Sequence, residues 1–386
     1  GFNFSGNGDR IGTVITDTYE ANPFKNLGMD NPNGSQRYYI GHVNWTGFNG
    51  LMEYTGSEKF SAVLQVGTSS QDYQWEGFYT AAPDTKSRVV TVNGGYIKGG
   101  ANYRANDNSN FFFNVGQIMR PPSFDGVFPN ADYDFEEADE ILNESFTSFE
   151  LGYGFRSSNF KGTINAYHTV WGDRTLRRST SIDDQGVRII YSGVEQTHQG
   201  IEGEMTWYPS SRLRVKGMFS LGDWKYTKNF QGDAYFIDNN QPAGTTGTLY
   251  LDGVKIGDAA QTVLYLGFDY KLTSKLSVDL DMMSYDNLHG RFGPLDSEFN
   301  SDNNRGSIKL PSWGTADLGA TYSFSLLGYD ARARLNVNNL FDEEYLSQSQ
   351  TNFHNDGGRT WNGINVENNV YFGKGTTWNL GLNINF

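Results

Sequence analysis

Residues 376–386 read TTWNLGLNINF, and their alternation decides the fold. Side chains of an extended strand point to opposite faces in turn, so Trp378, Leu380, Leu382, Ile384 and Phe386 share one face while Asn379, Gly381, Asn383 and Asn385 share the other. One face is apolar, the other is polar and small, and the stretch closes on an aromatic ring. A half-buried strand of a soluble protein has this form, and so has a strand set between lipid and a wet lumen. The rest of the chain chooses between them.

Working outward, Tyr329, Ala331, Ala333, Leu335 and Val337 alternate with Asp330, Arg332, Arg334 and Asn336, and beyond the turn Leu326-Leu327-Gly328 the residues Ala316, Leu318, Ala320, Tyr322 and Phe324 do the same. Further hairpins follow upstream. Residues 276–282 pair with 264–270 through Thr273-Ser274, 213–221 with 201–207 through Pro209-Ser210, and 160–171 with 149–155 through Ser157-Ser158-Asn159. Residues 111–115 pair with 97–103 through Asn106-Asp107-Asn108, and 60–66 with 38–54 through Thr55-Gly56-Ser57-Glu58. The sum is about thirteen strands. Residues 1–36, rich in Asn, Gly, Asp and Pro, read as an extracellular loop region.

Short turns alternate with long loops, the asymmetry of outer-membrane barrels, which turn briefly in the periplasm and loop widely outside. This places the turns near Ser57, Asn108, Ser158, Ser210, Ser274 and Leu327 in the periplasm and the loops near Asp233, Asn303 and Asn355 outside. Strands running toward a short turn finish on a ring, at Tyr54, Tyr103, Phe155, Trp207 with Tyr208, Tyr270, Phe324 and Phe386. Rings repeated at one level form a bilayer girdle. Arg332, Arg334, Asp269, Asp279, Asp281, Glu202 and Glu204 stand mid-strand opposite apolar faces, where a dry core would charge several kcal/mol, on the order of a lost solvation shell, for each. A hydrated lumen removes that cost.

Composition agrees. Hydrophobic residues make up 37% of 386 and no apolar run approaches the roughly 20 residues of a membrane helix, a composition that still suits a barrel in which only alternate residues meet lipid. The absence of cysteine removes disulfides, thiolate metal sites and cysteine nucleophiles. A net charge of −14 argues against nucleic acid. Gly1 opens no signal peptide, so the chain reads as processed or as a fragment.

The residues also carry resemblances. Asn379-x-Gly381-x-x-Ile384-x-Phe386 resembles the C-terminal signal by which outer-membrane barrels are handed to their assembly machinery. Asn339-Leu340-Phe341-Asp342-Glu343-Glu344-Tyr345 resembles the element near the end of TonB-dependent outer-membrane receptors, and Arg120-Pro121-Pro122-Ser123-Phe124 with Glu150-Leu151-Gly152-Tyr153 is similar to a second region of that family. Glu150 to Ser157, Asn165-Ala166-Tyr167 and Trp171-x-Asp173-Arg174 look like receptors of the Bacteroidota type.

The resemblance implies an all-β transmembrane antiparallel β-barrel of about 22 strands around an N-terminal plug. Such receptors import a scarce nutrient (iron chelate, cobalamin, glycan or peptide) with energy delivered through TonB. Residues 37–386 are expected to be the C-terminal part of that barrel, with plug, first strands and TonB-contacting segment lying upstream. Expected partners are the TonB complex, the barrel-assembly machinery, outer-membrane lipid and a surface lipoprotein. A passive porin and an adhesin are the competing readings.

Chemistry leaves few marks. His42, His168, His198, His289 and His354 are scattered, Gly99-Gly100 and Gly172 form no phosphate loop, and Asp279 with Asp281 reads as lumen lining rather than an acid and base pair. Neither an enzyme nor a cofactor is expected. Substrate-binding candidates are the rings and cations of the long loops: Trp171, Arg174, Arg177 and Arg178, then Trp224, Tyr226, Tyr235 and Phe236, then His289, Arg291 and Phe292, and last His354, Arg359, Trp361 and Tyr371. Rings stack on sugars and planar chelates, and arginine holds carboxylates.

Overall fold

The computed structural model describes residues 39–77, 85–128, 137–138, 141–182, 185–236, 241–293 and 296–385. The loop expected at 1–36 and the terminal Phe386 lie outside the described residues. Thirteen strands succeed one another along one path, each paired with its neighbour in sequence. They are β1 (Tyr39–Tyr54), β2 (Phe60–Gly77), β3 (Val90–Asn106), β4 (Ser109–Arg120), β5 (Glu144–Arg156), β6 (Phe160–Ile182), β7 (Gln185–Ser210), β8 (Leu213–Tyr226), β9 (Thr262–Lys271), β10 (Leu276–Asp286), β11 (Trp313–Leu326), β12 (Tyr329–Asn338) and β13 (Thr377–Asn385). From β6 onward the pairs are antiparallel.

The chain divides into two compact units. One comprises 1–51, 65–97 and 118–145. Its core is Tyr73, Trp75, Val90, Val127 and Phe128. Pro121 and Pro122 end β4 because a proline has no N–H for the ladder, and they deliver the short helix α1 (Phe124–Val127) to that core. Phe124 stacks on Tyr39 at 5.9 Å, Tyr39 stacks on Trp75 at 6.0 Å, and the Tyr73 hydroxyl donates to the Pro122 carbonyl at 2.7 Å. The proline-rich motif thus anchors a ring.

The second unit comprises 52–64, 98–117 and 146–386. Along its strands the apolar face is bare: Ile201, Leu221, Leu264 and Leu382 are 47%, 48%, 48% and 59% exposed. An apolar surface of this extent is untenable in water. On the opposite face the charges expected there pair across strands. Arg214 Nε lies 2.9 Å from Asp269, Lys216 reaches Asp281 at 3.1 Å and Asp269 at 3.5 Å, and the Tyr265 hydroxyl donates to Asp281. Arg334 forks onto both oxygens of Asp279 at 2.8 and 2.9 Å. The Ser220 hydroxyl donates to Glu202 at 3.0 Å.

Two stretches depart from the sequence reading. Residues 172–200 and 227–260 read as loops in the sequence, yet β6 and β7 run 23 and 26 residues, and a hairpin of Phe230–Phe236 with Pro242–Leu249 adds to the far end of β7. The register shifts between Trp171 and Leu176, beside Asp173 at φ 58° and Gly193 at φ 69°. An extra residue in each strand exchanges its two faces. Beyond the shift, Val187, Ile189, Tyr191 and Val194 are therefore buried with Phe230, Leu249, Leu251 and Phe299 in an apolar core.

The segments after β10 and β12 are structured as well. Leu288, Ile308, Leu310, Leu346 and Ile364 form a third core, and Arg305 joins Glu298 to Asp356 at 2.6 Å each. The Asn339–Tyr345 motif ties β13 to its neighbours. The Asn339 amide donates to the carbonyls of Glu343 and Lys374 at 2.9 and 3.1 Å, and its oxygen accepts the Glu343 N–H at 2.9 Å. Asp342 accepts the Thr376 N–H at 2.8 Å. Asn339 and Asp342 take φ 48° and 54°, a region in which Asn and Asp are tolerated. Tyr345 stacks on Trp313 at 3.8 Å and Trp313 on Tyr285 at 4.0 Å.

Candidate functional site

Rings and cations converge on the polar face of β5 to β8, just before the register shift. Trp171 faces Gln196, Thr169 faces His198, and His198 faces Trp224 across the two ladders. The Trp171 ring stacks on Phe146 at 5.1 Å, and the Arg174 guanidinium lies 3.8 Å from the centre of the same ring. A desolvated cation over indole is stabilised by about 2 kcal/mol. His198 packs 5.4 Å from Trp224, whose indole N–H donates to the Tyr167 hydroxyl at 2.8 Å. Arg174 Nε and His198 Nε2 are shielded from solvent and meet no acceptor or donor among the described residues. A carboxylate or phenolate oxygen satisfies such groups, and a planar ligand stacks on the indoles.

The structure brings Trp171, Arg174 and Trp224 together and sends the other candidates elsewhere. Trp171, Arg174, Arg177 and Arg178 stand on β6, and Trp224 and Tyr226 on β8, rather than on loops. Tyr226 is buried in the apolar core, where Phe292 packs on it at 5.7 Å and on Phe299 at 4.3 Å. Tyr235 and Phe236 belong to the added hairpin, and Phe236 lies against that core. Arg291 is held by Asp258 at 3.5 Å. His289 lies 3.2 Å from the Ser307 carbonyl, and burial holds its imidazole below the ordinary value.

His354 Nε2 donates to the Gly306 carbonyl at 3.0 Å, and Trp361 packs against the third core, edge-on to Phe372. The Tyr371 hydroxyl accepts from Gln350, and Arg359 accepts the Val366 N–H at its carbonyl. Nearby, Arg305 bonds through its side chain and its backbone N–H to Glu298, which holds that carboxyl at about 2. Of the proposed assembly signal, Asn379 bonds to Asn336 at 2.8 Å, Gly381 faces Arg334 and Ile384 faces Ala331. Sequence reasoning missed Phe146, Tyr167 and His198, whose signal was their position on the polar parity of β5, β6 and β7. Among the described residues no group of three or more His, Asp or Glu is placed to hold a metal ion.

Strands with a bare apolar face, a charge-laced opposite face and rings near their short turns make the wall of a membrane β-barrel. The chain belongs to the TonB dependent receptor-like, beta-barrel family, whose model matches residues 1–340. It is accordingly a chain of the bacterial outer membrane. No curated protein matches it by sequence.

Among solved structures it is similar to the siderophore receptor PiuA from Acinetobacter baumannii, with 13% identity and TM-score 0.64, over 89% of this chain and 43% of that one. It is also similar to the FrpB iron transporter from Neisseria meningitidis, with 14% identity and TM-score 0.59, over 90% and 46%. A third is the copper transporter OprC, with 13% identity and TM-score 0.57, over 89% and 48%. The likeness is one of fold, and this chain spans less than half the length of each.

Proposed function

We propose that residues 37–386 form the C-terminal part of the wall of a receptor that imports a scarce nutrient across the outer membrane with energy from TonB. The observation that carries this reading is the box of Trp171, Arg174, His198 and Trp224, set above a charge-lined face in a family whose members are receptors. The pairs from β6 to β13 are antiparallel and the chain spans less than half the length of these structural relatives, which supports reading these strands as part of a longer wall. Unpaired strand edges in lipid leave backbone groups unsatisfied at several kcal/mol each, an order-of-magnitude penalty. In this reading strands outside this numbering complete the wall, and the plug and TonB-contacting segment belong with them.

The ligand class that fits the box is a planar or aromatic compound bearing oxygen anions, such as an iron chelate. In the full-length receptor, Trp171→Ala with Arg174→Ala is expected to weaken ligand binding at least about tenfold, the equivalent of ~1.4 kcal/mol. Binding should be measured on cells lacking TonB, and accumulation on cells that have it. Accumulation without TonB would overturn the import reading in favour of a porin. Unchanged binding by the double variant would move the ligand site elsewhere.

A further inference from the structure

The lipid-facing row changes character at one level on neighbouring strands. Ile164 and Ala166 give way to His168 on β6, Ile201 to Gln199 on β7, Leu221 to Asp223 on β8, and Met282 to Ser284 and Asp286 on β10. Ile201 faces both Ala166 and Leu221, and Gln199 faces both His168 and Asp223, so the polar residues keep the alternation of the apolar row and share its side. They form a chain of contacts. His168 Nδ1 lies 3.1 Å from the Gln199 oxygen, and the Gln199 amide donates to Asp223 at 3.1 Å.

Two ammonium groups converge on Asp223. Lys225 lies 3.2 Å from one oxygen, and Lys255, whose backbone bridges to that of Lys225, reaches the other. The Ser307 hydroxyl donates to the Lys255 carbonyl at 2.9 Å and fixes that backbone. A third amine, Lys309, lies 2.8 Å from Asp286. Three cations meet two carboxylates, in a chain whose net charge is −14. The three side chains are 39%, 37% and 49% exposed, which leaves their amines open to a further anion. Like charges that share one counter-charge favour such an anion, and basic groups at a membrane surface draw anionic headgroups.

We propose that Lys225, Lys255 and Lys309 form a binding site for the phosphate groups of an outer-leaflet glycolipid, whose acyl chains lie along Ile164, Ile201 and Leu221 below. The site faces lipid and is independent of the import reading. It lies at the extracellular edge of the apolar band, where headgroups of that leaflet reside.

The test uses the full-length receptor in detergent, loaded with a bisphosphorylated diglucosamine glycolipid and examined by native mass spectrometry. Lys225→Gln with Lys255→Gln is expected to reduce retained glycolipid about tenfold, and the dephosphorylated glycolipid should bind the unaltered receptor no better than the phosphorylated one binds this variant. Lys161→Gln, on the opposite face near a short turn, should retain normal binding, and heat-modifiable migration should show every variant folded. Equal retention by the double variant overturns the proposal, as does equal binding of the dephosphorylated lipid. Displacement of the lipid by millimolar inorganic phosphate would overturn it in favour of a soluble-anion site.

Discussion

The two halves of β7 show one strand built for two solvents. Near its short turn Ile201, Met205 and Trp207 lie bare on one face while Glu202 and Glu204 line the other; beyond Gly193, Val187, Ile189 and Tyr191 are at most 2% exposed. Below the register shift, lipid covers the apolar side chains and water reaches the polar ones. Above it the protein covers its own apolar side chains. The difference teaches that hydrophobicity is shared between both halves, and that the bulges decide which face carries it.

The largest effect expected concerns the lipid-facing half. Replacing Ile384 by Asp together with removal of Phe386 should block assembly, because a lipid-facing charge is destabilising, by about 1 kcal/mol or less for a carboxylate near the interface, and the C-terminal pattern is also lost. Normal accumulation of a heat-modifiable outer-membrane band would refute this.

Next in size is a test of the self-covered half. Ile189→Ala should cost about 2–5 kcal/mol, since it opens a cavity in a closed core. Hydrogen exchange should rise at 185–194, 230–236 and 242–249 and stay unchanged at 201–210. A uniform rise along β7 would mean the two halves are one cooperative unit.

A smaller effect is expected on the charged face. Arg334→Gln should destabilise by about 1–2 kcal/mol, between the values for exposed and for fully buried pairs, because Asp279 is mostly covered while Arg334 remains partly hydrated. Urea unfolding in lipid vesicles measures this, and a loss above about 4 kcal/mol would mark a dry interior instead of a wet lumen.

The smallest effect is set by pH in the segment after β10. Glu298 has a folded value of about 2, below its ordinary 4.5, so its contribution is complete above pH 4.5 and is lost as pH falls toward 2. Protection factors at 296–307, corrected for the intrinsic pH dependence of amide exchange, should therefore fall across that window and be flat from pH 5 to 8. Glu298→Gln should remove most of the dependence.

What was legible in the sequence follows from the same division. In the lipid-facing halves a period of two runs unbroken from Leu264 to Tyr270 and from Tyr329 to Val337, and burial need not be known to read it. Above them Asp173 and Gly193 interrupt the alternation, so Arg174, Arg177 and Arg178 resembled a loop although the strand continues. Phe292 and Tyr226 looked like exposed rings because nothing local shows that the hairpin and the segment around Phe299 close over them. His198 was obscure because its partners, Trp224 and Arg174, come from other strands. The proline motif at 120–124 and the element at 339–345 were visible as signatures, but their physical roles, placing Phe124 and tying β13, emerge only from contacts.

That tie has a bearing on how such a wall can vary. Asn339 and Asp342 reach Lys374 and Thr376 across 35 and 34 residues of sequence, so the excursion between them begins and ends at the same place. The register of β13 is then independent of the length of the excursion, and each doubling of a flexible segment adds only about 0.6 kcal/mol of closure entropy. The exposed bend at Gly357-Gly358 within this excursion can be lengthened without disturbing the seam beneath, which makes it a natural graft point for changing what the surface presents.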